Sequence, residues 1–200
     1  LEKYLFTDIN VTAVSILLGA YLIGSISSAV LLCRLWQLPD PRLHGSFNPG
    51  ATNVYRLGGK WPAIGVLIFD MCKGLIPVYL GFWLELSPIW LGVIAITACL
   101  GHMYPIFFRF RGGKGVATAL GCLLPLDWGI LFGILLCWLV IYRVWRYSSL
   151  AALVTVCIAP LLTYWRNPEY TYAVVMLSGL IVLQHRHNIT RLIRGTEPRT

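Results

Sequence analysis

Trp128-Gly129-Ile130-Leu131-Phe132-Gly133-Ile134-Leu135-Leu136-Cys137-Trp138-Leu139-Val140-Ile141-Tyr142 carries neither a charge nor a proline, and Arg143 and Arg146 follow it. As an α-helix this stretch reaches across a hydrocarbon core of about 30 Å, which takes roughly 20 residues. Its character is general in the chain. Hydrophobic residues make up 58% and charged residues 12%, with a mean hydropathy of +0.72, too apolar for an ordinary soluble domain. Outward from a span at 128–146, comparable segments fall at 10–33, 62–84, 88–108, 149–165 and 170–185, with a shorter one at 115–126. In lipid each backbone N–H and C=O must be satisfied internally, and the alternating strands of a barrel are absent. The expected fold is an all-α, polytopic membrane helical bundle of about seven transmembrane helices. Residues 1–200 read as a single integral-membrane domain.

The segment at 115–126 opens at a glycine cluster and ends at Pro125 and Asp127, so it reads as a half-length or re-entrant helix. Neither a basic leader nor a small-residue cleavage site precedes the first span, which is therefore expected to be retained. Basic residues set the orientation. With the N-terminus outside, seven crossings place Arg34, Arg42, Arg56, Lys60, Arg109, Arg111, Lys114, Arg143, Arg146, Arg186, Arg191, Arg194 and Arg199 on the cytoplasmic side. Only Lys3 and Arg166 then lie outside, together with Glu2, Asp8, Glu85, Asp127 and Glu169. The C-terminus is expected to be cytoplasmic.

Two polar islands interrupt the apolar chain. The first is Gly45-Ser46-Phe47-Asn48-Pro49-Gly50-Ala51-Thr52-Asn53-Val54-Tyr55-Arg56, and the second is Arg109-Phe110-Arg111-Gly112-Gly113-Lys114-Gly115. Small residues, hydroxyls, amides and cations are the groups that bind phosphate. In the second island, Gly112 and Gly113 free the backbone to approach an anion, and Lys114 supplies a mobile charge. A helix starting at Gly115 would point its N-terminal amides at the same anion. The spacing is not that of a nucleotide-binding phosphate loop. The plainer alternatives are a basic interfacial turn for the second island, and a turn plus surface helix for the first.

Three further features bear on the choice. Asp70 and Lys73 share one helical face inside a span, where unpaired charge is costly. A mutual salt bridge that fixes the bundle is preferred to catalysis for this pair. His102 lies near the cytoplasmic end of the third span, where packing or interhelical hydrogen bonding is the commoner role. His185-Arg186-His187-Asn188 closes the last span at the depth of the islands. The six cysteines include no C-x-x-C pair and read as small buried hydrophobes. The four histidines lack metal-site spacing, so no metal and no cofactor is expected. No nucleic-acid partner is expected either.

The ordered motifs carry a resemblance over essentially the whole chain. They are Gly24-Ser25-Ile26, Asp40-x-Arg42, the island from Gly45 to Arg56, Asp70-x-x-Lys73-Gly74 with Pro77, and Gly101-His102-x-x-Pro105. Gly112-Gly113-Lys114-Gly115-Val116-Ala117-Thr118, His185-Arg186-x-Asn188-Ile189-x-Arg191-Leu192 and Gly195-x-Glu197 follow. The chain resembles the PlsY family of bacterial acyl-phosphate:glycerol-3-phosphate acyltransferases. The resemblance implies a seven-helix inner-membrane enzyme with a cytoplasmic active site, which moves an acyl group from acyl phosphate to glycerol 3-phosphate. The product, lysophosphatidic acid, is the first acylated intermediate of phospholipid synthesis.

It also implies a catalytic set of Ser46, Arg56, Lys114, His185 and Asn188, and a phosphate-binding set of Gly45, Asn48, Gly50, Thr52, Asn53, Gly112, Gly113 and Gly115. Asp70, Lys73 and His102 would support them. The partners implied are the two substrates, membrane lipids and a functional link to an acyl-phosphate-forming enzyme. One position departs from the family's usual Gly-Ser-Gly-Asn: here Phe47 follows Ser46. A phenylalanine fits poorly where φ is positive or phosphate must approach closely. Either the loop tolerates it with lower activity, or the ring points away into lipid. The competing functional reading is a membrane transporter of a phosphorylated metabolite, although no internal repeat is visible.

Overall fold

The computed structural model describes residues 11–199. Among these residues the chain is helical throughout, without a strand. Its helices are α1 (Val11–Gly24), α2 (Ser28–Leu35), α3 (Ala51–Gly58), α4 (Lys60–Trp83), α5 (Pro88–Met103), α6 (Val116–Leu123), α7 (Trp128–Trp145), α8 (Ser148–Arg166), α9 (Thr171–Gln184) and α10 (Arg186–Ile193). Five segments are long and apolar enough to cross a membrane: Val11–Leu35, Lys60–Trp83, Pro88–Phe108, Trp128–Trp145 and Ser148–Arg166. The other two expected spans contain shorter helices, α6 with 8 residues and α9 with 14.

The first segment corrects the single helix expected over 10–33. It is two helices, parted at Ser25-Ile26-Ser27. A break inside a bundle exposes backbone groups that need partners. Here the carbonyl of Ile26 accepts from Lys73 Nζ at 3.1 Å. Ser28, which opens α2, donates its hydroxyl to Asp70 Oδ1 at 2.6 Å. Lys73 and Asp70 are themselves paired at 2.8 Å and almost fully buried. The ion pair thus has a more specific task than holding helices together: α4 uses it to stabilise the interruption between α1 and α2.

The core joins α1, α4, α5, α6, α8 and α9 through Ala20, Val78, Ile94, Ala98, Cys122, Val156 and Ile181. With no hydrophobic driving force between helices in lipid, close contact between small residues does much of the holding. A methyl group at Gly74 of α4 would fall on the carbonyl oxygen of Thr118, and one at Gly121 of α6 on that of Met71. These reciprocal glycines press α6 against α4 and fix where its first turn lies. The surface helix α3 is anchored separately, with Val54 packed against Ala29, Cys33 and Val66. That seat buries Asn53 and brings Arg56, one turn on, to the cavity described below.

At the other end of α6, Asp127 caps α7 by accepting from the Ile130 amide at 2.9 Å. The same carboxylate takes hydrogen bonds from Arg166 Nε at 3.1 Å and Asn167 Nδ2 at 2.7 Å. The end of the stretch 115–127 therefore lies at the level of the C-terminal end of α8.

Candidate active site

One cavity of about 240 Å³ gathers most of the polar residues singled out from the sequence. Ser46, Asn48, Gly50, Thr52, Asn53 and Arg56 come to it from the first island, and Lys114 and Gly115 from the second. Asp70 of α4 and His102 of α5 reach its wall, and His185 and Asn188 close it from the α9–α10 junction. Leu67, Leu120, Leu135 and Trp138 give it an apolar flank. Two helix N-termini open into it, α3 at Gly50-Ala51 and α6 at Gly115-Val116. Orphan N–H groups and the helix dipole make such ends favourable to anions.

Gly45, Gly112, Gly113 and Lys73 lie outside the lining. Gly45 sits at φ 65°, and a side chain there would strike Asn53 Oδ1. Asn53 is committed to the loop. It accepts from the Ser46 amide at 2.8 Å and donates to Pro41 O at 2.9 Å and His44 O at 3.0 Å. Its work is to shape the turn that presents Ser46. The start of that turn is held by Arg42, which meets Asp40 through Nη2 at 2.7 Å and lies over the Phe108 ring.

Phe47 adopts φ 60°, and its side chain is 68% exposed. The backbone conformation is the one a glycine would take without strain. The ring points outward, so the loop keeps its course and the cavity stays clear of the aromatic group.

His185 is 2% exposed, and its Nδ1 lies 2.8 Å from Ile181 O. A carbonyl can only accept, so Nδ1 carries the proton and a neutral ring keeps its lone pair on Nε2. Lys114 is deeply set, and burial draws its pKa down to about 8. Glu197 opposes that shift, while Arg191 and Arg56 add to it. Burial also draws Arg56 down, opposed by Glu197, and its Nη2 donates to Pro198 O at 3.1 Å.

Glu197 is the residue the sequence reading left without a role. Its Oε1 accepts from Ser149 Oγ and Asn188 Nδ2, each at 2.6 Å, and its Oε2 accepts from Arg191 Nε at 2.7 Å. Burial raises its pKa, but these three donors outweigh it and hold the carboxyl below its usual range. Ser148 and Ser149 were missed as well. Both line the cavity at the start of α8, and Ser148 Oγ lies 3.1 Å from Thr52 Oγ1. The available signals were a lone carboxylate in a basic tail, and a hydroxyl pair opening a span at the level of the islands.

The cavity thus combines cations, hydroxyls and helix N-termini with an apolar flank, a chemistry suited to an amphiphile with a phosphate head. A family model described as glycerol-3-phosphate acyltransferase matches residues 14–195. The chain belongs to the glycerol-3-phosphate acyltransferase family. A glycerol-3-phosphate acyltransferase of Idiomarina loihiensis is 56% identical over 188 residues, covering 93% of this chain and 96% of that relative. One from Vibrio cholerae is 58% identical over 187 residues, covering 94% and 90%. Among solved structures, the glycerol 3-phosphate form of PlsY, an integral membrane glycerol 3-phosphate acyltransferase, matches with a TM-score of 0.90 at 36% identity. That match covers 94% of this chain and 96% of the other. A lysophosphatidic acid form of PlsY matches with a TM-score of 0.87 at 35% identity, covering 94% and 95%. The chain shares its helical architecture with these integral membrane proteins, and five of its segments are long and apolar enough to cross a membrane.

Proposed function

We propose that this chain transfers a fatty acyl group from acyl phosphate to the 1-hydroxyl of glycerol 3-phosphate, giving lysophosphatidic acid and inorganic phosphate in phospholipid biosynthesis. The observation that carries this reading is a single cavity where Arg56, Lys114 and two helix N-termini face an apolar flank. Both substrates bring a phosphate, and one of them brings a chain.

The donor is a mixed anhydride. The acceptor's hydroxyl oxygen attacks its carbonyl carbon, the bond from that carbon to the phosphate oxygen breaks, and the phosphate leaves with the hydroxyl proton. Proton transfer to the leaving phosphate lets the site work with many phosphate-binding groups and few bases. Arg56 and Lys114 neutralise the donor's phosphate and the second dianion. Ser46, Thr52, Asn188 and the amides at Gly50 and Gly115 orient the pair, and His185 Nε2 offers a lone pair near them. Asn48 belongs to the same phosphate-binding surface. Holding the reactants in a near-attack geometry supplies roughly 7–11 kcal/mol of barrier reduction. Donors facing the developing oxyanion add the electrostatic contribution.

The chain is further read as one domain with seven crossings of the inner (cytoplasmic) membrane, its N-terminus outside and its active site and C-terminus cytoplasmic. The excess of basic residues around the cavity supports this orientation. Gly115 shares the cavity with Ser148 and Ser149 at the start of α8, and Asp127 meets Arg166 at its end, which supports counting α6 as a crossing. An acyl-phosphate-forming enzyme would supply the donor. Cysteines placed singly at 46, 60, 87 and 200 on a cysteine-free background test the orientation. Only position 87 should label from outside intact cells.

The deciding experiment is acyl transfer by the purified protein in detergent. Acyl phosphate and glycerol 3-phosphate should yield lysophosphatidic acid and phosphate with a chelator present, and acyl thioesters should not replace the donor. Preference for a thioester would overturn the donor assignment. Uptake of glycerol 3-phosphate into sealed vesicles without acyl product would favour the transporter.

A further inference from the structure

The loop that carries Lys114 lies directly on the last turn of α5. The Gly113 amide donates to His102 O at 3.1 Å. A methyl group at Gly113 would fall on His102 Nε2, with Cε1 only 2.8 Å away. One at Gly112 would fall on the carbonyl oxygen of His102, with Met103 O at 2.6 Å. The glycine pair is therefore demanded by contact with α5, and neither glycine lines the cavity. Lys114, the next residue, does.

His102 is itself held from behind. It is 6% exposed, and its Nδ1 has no hydrogen-bond partner. The nearest charge to that nitrogen is Asp70 Oδ1, at 3.5 Å. Asp70 is fixed in turn by Lys73 and Ser28. A chain of contacts thus runs from the α1–α2 break through Asp70 and His102 to the glycines beside Lys114.

We propose that His102 is a positioning residue for Lys114: its ring and carbonyl form the seat on which Gly112-Gly113 rests, and Asp70 keeps that seat in place. A salt bridge that only fastened helices together would have no reason to reach the loop. The inference rests on Lys114 being a phosphate-binding cation. It assigns the two glycines to loop placement instead of anion approach.

The test is a set of double-mutant cycles on the full chain purified in detergent. kcat and KM are measured for both substrates, with glycerol 3-phosphate binding by calorimetry. Gly113→Ala should raise KM about tenfold or more in the native background, but about twofold or less beside His102→Ala, where the ring is gone. Gly112→Ala should cost the same in both backgrounds, because it meets carbonyl oxygens that truncating a side chain leaves in place. His102→Ala alone should also move the pH dependence assigned to Lys114, which a purely structural histidine would leave unchanged.

The proposal is overturned if the Gly113→Ala penalty is equal in both backgrounds, or if His102→Ala keeps native KM and pH profile. A thermal midpoint near native in each variant identifies the effect as local. If the native protein lacks acyl transfer altogether, the acyltransferase reading fails. The same cycles read by calorimetry then still decide whether His102 seats the loop.

Discussion

Asn188 Nδ2 lies 2.6 Å from Glu197 Oε1 and donates a hydrogen bond to it. The C-terminal segment thereby holds a site residue of the α9–α10 junction. Glu197→Gln keeps the shape but removes the charge that receives Ser149, Asn188 and Arg191. Hydrogen bonds to a charged group contribute about 1.5–3 kcal/mol each in favourable cases. The substitution should lower the thermal midpoint and cut kcat/KM by roughly tenfold or more. Midpoint and turnover near native values would mean that the carboxylate has no such role.

Lys114 connects pH with both activity and stability. Its folded pKa is about 8, below the 10.5 of a free lysine. Activity that needs its charge should fall as pH rises through about 8, most clearly in kcat/KM, because bound dianion favours the protonated form. Stability should move the other way. Between about 8 and 10.5 the unfolded chain binds more protons at this site than the native one, so stability rises with pH across that window. Lys114→Arg should shift the alkaline limb upward while changing stability little over that range. Paired rate and melting profiles check both signs.

At Phe47 the backbone is left-handed and the ring is outside. A non-glycine residue in that conformation costs about 1–2 kcal/mol, whereas glycine loses more backbone entropy on folding, roughly 0.5–1 kcal/mol. Phe47→Gly should therefore leave the melting midpoint near native or slightly higher, with turnover unchanged or raised. Phe47→Val, β-branched at the same φ, should lose stability. A large drop in turnover for a folded Phe47→Gly protein would mean that the ring makes a functional contact.

Asp70→Asn separates support from binding. It leaves Lys73 buried without its counter-charge, and breaking a buried pair in this way costs about 3–5 kcal/mol. The protein should melt earlier in detergent. Lys114→Met, which keeps an apolar stem of similar length, should melt near the native midpoint yet lose most phosphate-dependent turnover. Near-normal rates at saturating substrate in Lys114→Met would remove this lysine from the proposed mechanism.

The long apolar runs made α4, α5, α7 and α8 legible, because bilayer thickness alone imposes their lengths. The two islands and the α9–α10 junction were legible for a related reason: polar groups at a shared depth in so apolar a chain call for explanation. The break at Ser25-Ile26-Ser27 was not. The adjoining Gly24 and its serines are also tolerated inside a membrane helix, and the group that stabilises the break, Lys73, comes from α4. Glu197 escaped for the same reason, since its partners Ser149 and Asn188 are brought to it by the fold. Gly112 and Gly113 were visible, but His102 as the neighbour that crowds them was not. A glycine pair beside a lysine looks the same in sequence whether the space belongs to an anion or to a histidine ring.

The bond between Arg56 and Pro198 joins positions that leave the ribosome far apart in time. At typical synthesis rates of about 5–20 residues per second, roughly 7–28 seconds separate them. A chain halted after Gln184 would already hold its apolar segments, yet Asn188, Arg191 and Glu197 would all be missing. Truncated products would thus enter the bilayer without a finished substrate cavity, and only completion of the tail would assemble it.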